Sequence, residues 1–184
     1  MRDRGAGYTA VMIAAFLLLA SLASGRAEAP PARATEVRLA WTYEGLPPGM
    51  RVFEASPKTP AVWTTDASRR LEDVPHGDEI ARGRVRLRPG EEKTLVLVYH
   101  NAGEAPIRFF AAPHDVAPRA AALGFEFVCL CQNHVYSAGP GRWWWRVVSL
   151  SLSPEVTAPA LKVTHALVRV TKDGVVGRPL PVNR

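Results

Sequence analysis

Apolar residues in this chain recur at every second position rather than at every third and fourth, and that period limits what it can fold into. Val37, Leu39, Trp41 and Tyr43 share one parity, which predicts a strand with one buried face. Similar short runs follow at 51–55, 84–88, 94–100, 107–111, 125–131, 143–152 and 161–172. Turn signals such as Arg88-Pro89-Gly90-Glu91 and Asn101-Ala102-Gly103 separate them. About eight strands of this kind predict an all-β chain of two antiparallel sheets packed face to face. The one helical piece expected is a single turn over Arg119–Leu123, closed by Gly124.

The 184 residues suit one domain, and 16 prolines with 14 glycines fit a turn-rich body without a collagen-like period. Two cysteines exclude a disulfide-stapled miniprotein and a multi-cluster iron–sulfur protein. At the amino end, Arg2 and Arg4 precede an uncharged stretch from Gly5 to Gly25, and Ala27-Glu28-Ala29 offers a small-x-small cleavage pattern. Residues 1–29 therefore read as an export signal or a retained inner-membrane anchor, and 30–184 as the folded domain. Either way the body lies outside the cytosol, periplasmic or otherwise extracytoplasmic. The net charge of +6 does not imply nucleic acid, because the only arginine cluster, Arg82, Arg84, Arg86 and Arg88, alternates with Val85 and Leu87 like the solvated face of a strand. A membrane surface or an acidic partner is the better match to that charge in an exported protein.

The stretch Gly124-Phe125-Glu126-Phe127-Val128-Cys129-Leu130-Cys131-Gln132-Asn133-His134 breaks the pattern. On a strand, Cys129 and Cys131 emerge from one face with Cα atoms about 6.5–7 Å apart. That is at the outer limit for a disulfide. Two neighbouring thiolates instead suit a soft ion, and with only two sulfurs Cu(I) fits better than zinc or an iron–sulfur cluster, which normally need four ligands. His134 is a candidate third ligand. The competing expectation is structural: Phe125, Phe127, Cys129 and Cys131 share one parity, and a simple strand turns all four into the core.

From Pro89 onward the chain also resembles the CtaG family of cytochrome c oxidase assembly proteins. The landmarks are Pro89-Gly90-Glu91, Tyr99-His100-Asn101, Pro106, His114-Asp115-Val116-Ala117-Pro118, Phe125, Cys129-Leu130-Cys131-Gln132, Pro140-Gly141 and Ser153-Pro154-Glu155, in that order. The resemblance implies an immunoglobulin-like sandwich, Cu(I) held by Cys129 and Cys131, and a soluble domain able to dimerise through copper. It also implies a copper-receiving partner such as a cytochrome c oxidase subunit. The family's usual Cys-Phe-Cys-Phe is here Cys129-Leu130-Cys131-Gln132, and its additional cysteine near the anchor is missing, which marks a divergent relative.

Two other readings use the same residues. A thiol–disulfide exchanger would cycle the Cys129–Cys131 pair, since a strained bond is oxidising. A cupredoxin-like electron-transfer site would draw on His100, Cys131 and His134, but the usual axial methionine has no counterpart, because Met50 is the one methionine beyond the leader. In Trp143-Trp144-Trp145-Arg146, strand geometry sends Trp144 to the opposite face from its neighbours, leaving indole for core or for a docking patch. His76, His114 and His165 show no spacing that suggests a site. With no Ser-His-Asp order, phosphate loop or His-Glu-x-x-His motif, an enzyme is not expected.

Overall fold

Thr35, Val37 and Leu39 alternate inward along the first strand, β1 (Thr35–Glu44), as the period-two pattern requires. The computed structural model describes residues 33–128, 130, 134–171 and 174–175, the last two by backbone alone. Within them follow β2 (Arg51–Glu54), β3 (Thr65–Ser68), β4 (Arg84–Leu87), β5 (Glu92–Asn101) and β6 (Ile107–Ala111). The remaining strands are β7 (Asp115–Ala117), β8 (Phe125–Val128), β9 (Tyr136–Ala138), β10 (Arg142–Leu152), β11 (Ala160–Thr171) and β12 (Gly174–Val175). The expected helical turn is a 3-10 helix over Arg119–Gly124.

Two sheets pack face to face, giving the all-β sandwich expected from the sequence. The first runs β4-β1-β11-β6-β9, with β7 and β12 also on β11; the second runs β2-β5-β10-β3, with β8 also on β10. The long strands β10 and β11 each change partner along their length. Trp143–Arg146 of β10 pair with β3 and Ser149–Leu152 with β8. Lys162–Thr164 of β11 pair with β7 and Leu167–Arg169 with β6. One pair departs from the antiparallel expectation: β1 and β11 lie parallel, from Glu36 beside Ala160 to Glu44 beside Val168. Their inward residues coincide, Val37 with Leu161 and Leu39 with Val163, so the parallel register keeps both apolar sets on the core side.

Between the sheets Phe109 is fully buried and meets Trp144 edge-on at 5.1 Å, with Tyr99 and Tyr136 tilted against it at 5.7 and 5.6 Å. The second sheet is covered on both faces. Leu95, Leu97 and Tyr99 of β5 face the inter-sheet core, while Val96 and Val98 join Phe53, Val74, Trp145 and Val147 in a smaller cluster outside it. That double burial explains the unbroken apolar runs in β5 and β10. Trp144 enters the main core and Trp145 the outer cluster, as strand parity predicts. Residues 1–29, read above as leader or anchor, lie outside the described residues. Among the described residues no helix is long and apolar enough to cross a membrane.

Candidate metal centre

The segment that carries the cysteines is approached through β8, and β8 starts where a glycine lets it. A Cβ on Gly124 would overlap the Val156 side chain, and the Gly124 carbonyl accepts the Ser153 N–H at 2.7 Å. From there Phe125 and Phe127 point inward and Glu126 outward. Of the strand expected over 125–131, the described part is Phe125–Val128. Leu130, which unbroken alternation would turn to solvent, lies in a bend with its side chain 1% exposed. The apolar γ-branched side chain gains more from the core than from continuing the pleat. Its carbonyl accepts the Tyr136 hydroxyl at 2.9 Å. Cys129 and Cys131 lie outside the described residues, as do Gln132 and Asn133.

The third candidate ligand, His134, is exposed, its ring tilted over Tyr136 at 4.9 Å. His100 is elsewhere: its ring lies flat on Trp143, with centroids 4.2 Å apart, on the side of the second sheet away from the main core. On the core side, Arg146 is buried. Its Nη1 donates to the Trp63 carbonyl at 3.2 Å and its guanidinium carbon lies 5.2 Å from the Tyr136 ring centre. The guanidinium thus sits against the tyrosine whose hydroxyl holds Leu130.

The structure also joins two histidines that sequence spacing left apart. His165 is on β11, inward-facing with Leu161, Val163 and Leu167, and fully buried. His114 immediately precedes β7. Between the pairs Thr164–Asp115 and Leu167–Ala111, β11 carries two residues, His165 and Ala166, while its partner carries three, Ala112, Pro113 and His114. This extra residue is a β-bulge, a device that re-aims side chains. Its effect is to set the His114 ring 5.0 Å from that of His165. Around them stand Trp41, stacked on His165 at 5.2 Å, Phe127 at 4.6 Å from His165, and Phe125 at 6.0 Å from His114. Burial pushes the His165 pKa down to about 3; the neighbouring His114 adds to the depression and hydrogen bonding to the Ala112 backbone opposes it. Burial likewise lowers His114, against the opposing charge of Asp115. Both imidazoles are therefore neutral near pH 7 and able to offer a nitrogen lone pair.

Sequence reasoning missed this pair because their contact depends on strand pairing across 50 residues and on the bulge. One signal was present: His165 occupies a core parity among Leu161, Val163 and Leu167. Among the described residues no cluster of three or more His, Cys, Asp or Glu side chains is placed to hold a metal ion.

The family described as Domain of unknown function (DUF8709) matches residues 35–170, from the first residue of β1 almost to the end of β11. The chain belongs to this family. The DUF8709 match takes in both sheets, the histidine pair and the Cys129–Cys131 segment. No curated protein matches the chain.

Proposed function

We propose that this chain is a Cu(I)-binding protein, working outside the cytosol, that holds the ion through Cys129 and Cys131 and passes it to a copper-receiving partner. The observation that carries this is the Cys129-Leu130-Cys131 sequence itself: two soft donors flank a residue whose side chain is buried in the core and whose carbonyl is held by Tyr136. A pinned residue between two donors limits the entropy lost when both grip one ion.

Cu(I) is cargo here, not a resident cofactor. Two-coordinate thiolate ligation leaves an open side on the ion for an incoming sulfur or imidazole, so transfer proceeds by ligand exchange without release of free ion. The exposed His134 is a candidate for that open side. The resemblance to the CtaG family makes a cytochrome c oxidase subunit the proposed recipient, with the amino-terminal segment addressing the chain to the periplasm or its membrane surface. A copper-linked homodimer follows from the same ligand shortage, since two chains together supply four thiolates.

Anaerobic titration of the reduced full chain with Cu(I) tests this directly. One copper per one or two chains is expected, with loss of uptake in the Cys129→Ser/Cys131→Ser variant. Uptake unchanged by that double substitution, or none in the wild-type chain, overturns it.

A further inference from the structure

We propose that His114 and His165 form an imidazole pair that takes the same Cu(I) ion as a second station after the thiolates. This rests on the Cu(I) reading above and extends it to residues that no feature of the cysteine sequence involves.

Three observations carry the assignment. The first is separation: with metal–nitrogen bonds of about 2.0–2.1 Å, two imidazoles sharing one tetrahedral ion place their ring centres about 5 Å apart, and the pair stands at 5.0 Å. The rings are inclined by 47° and so are not a flat stack of the kind His100 makes with Trp143. The second is construction. A sandwich core gains nothing from an imidazole that leucine or phenylalanine would not supply better, yet His165 is fully buried on the inward row of β11 and a bulge at Ala112–His114 turns a second imidazole onto it. Bulges are enriched beside functional sites, where the local break in the ladder re-aims a side chain. The Ala112 backbone, within that bulge, is hydrogen-bonded to His165. A backbone partner of this kind fixes the tautomer and ring orientation of a ligating histidine.

The third observation is position. Phe127 packs on both rings, at 4.6 Å from His165 and 6.0 Å from His114. The chain leaves Phe127 through Val128 directly into Cys129. His114, half-buried where His165 is sealed, is the side from which an ion enters. Imidazole suits copper but binds Cu(I) less tightly than thiolate does, so a neutral nitrogen replacing one sulfur loosens the ion ahead of hand-off. No electron moves in this exchange: copper stays monovalent, one copper–sulfur bond is replaced by one copper–nitrogen bond, and the freed thiolate keeps its charge or takes a proton from water.

The test uses the reduced full chain loaded with one equivalent of Cu(I) under nitrogen and read by X-ray absorption at the copper edge. A minor imidazole contribution beside sulfur is expected in the wild type and its loss in His114→Asn, with Cu(I) transfer to a competing thiol slowed about tenfold. His165→Gln, screened for folding by circular dichroism, serves as the second variant. In the Cys129→Ser/Cys131→Ser background, weak residual Cu(I) binding that disappears on adding His114→Asn supports the pair. A wild-type shell of sulfur alone, or one unchanged in His114→Asn, overturns this inference and leaves the thiolate reading standing. A wild-type chain that takes up no Cu(I) removes both.

Discussion

Asn101 shows how one buried polar side chain fixes a set of loops. Its Nδ2 lies 2.9–3.0 Å from the carbonyls of Ala105, Ala138 and Gly139, and its Oδ1 accepts the Gly103 N–H at 3.1 Å. The β5–β6 turn and the end of β9 thus hang on one amide, and Asn101→Ala leaves several buried groups unmet. A loss of about 2 kcal/mol is expected, measured as a shift in the urea midpoint at constant slope. His165 sets a pH dependence. Its folded pKa of about 3 lies below the ordinary histidine value, so between the two the unfolded chain binds a proton that the folded chain refuses. Stability is then full above about pH 6.5 and falls as pH drops toward 3, by at most about 1.4 kcal/mol per unit from this group. Urea unfolding at about pH 7 and about pH 5 measures the slope, and His165→Leu is expected to flatten it. A slope unchanged by that substitution would show that other groups govern acid sensitivity.

Among elements, the long strands were legible because each carries enough alternating apolar residues to declare its inward face, as Val37 and Leu39 do in β1 and Leu161 and Val163 in β11. β3, β7 and β9 were not. Thr65-Asp66-Ala67-Ser68 has no apolar alternation and is a strand only because β10 offers it a ladder, while β7 and β9 are three residues each. The candidate site divides in the same way. The cysteine pair stood out by residue type, whereas the histidine pair depends on which strands meet and on a bulge that leaves no periodic mark. β4 docks beside β1 through Gly83, which has φ +62° and whose missing Cβ would lie 2.8 Å from the Leu39 carbonyl. Gly83→Ala is expected to cost about 1–3 kcal/mol in chemical denaturation. On the outer face of that sheet, Arg84, Arg38 and Lys162 stand side by side across three neighbouring strands. Like charges in such a row repel. Arg38→Glu is therefore expected to raise stability by about 0.5 kcal/mol at low salt, the gain shrinking in concentrated salt.

For the whole molecule, any ion held only by the native state raises stability by mass action. With Cu(I) free at about a hundred times its dissociation constant, the gain is about 2.7 kcal/mol, or roughly 5–10 °C in Tm for a domain of this size. Anaerobic thermal scans of the loaded and metal-free chain measure it, and Cys129→Ser/Cys131→Ser is expected to remove most of the rise. The parallel pairing of β1 with β11 has a mechanical consequence as well. Because the two strands run the same way, the chain enters at one pole of the ladder, near Glu36 and Ala160, and leaves at the other, near Glu44 and Val168. Tension applied at those two ends drags the strands lengthwise past each other, loading the whole row of inter-strand bonds at once instead of unzipping them singly. The domain is built as a shear clamp, and under stretching its hardest element to break is the seam between its first long strand and its last.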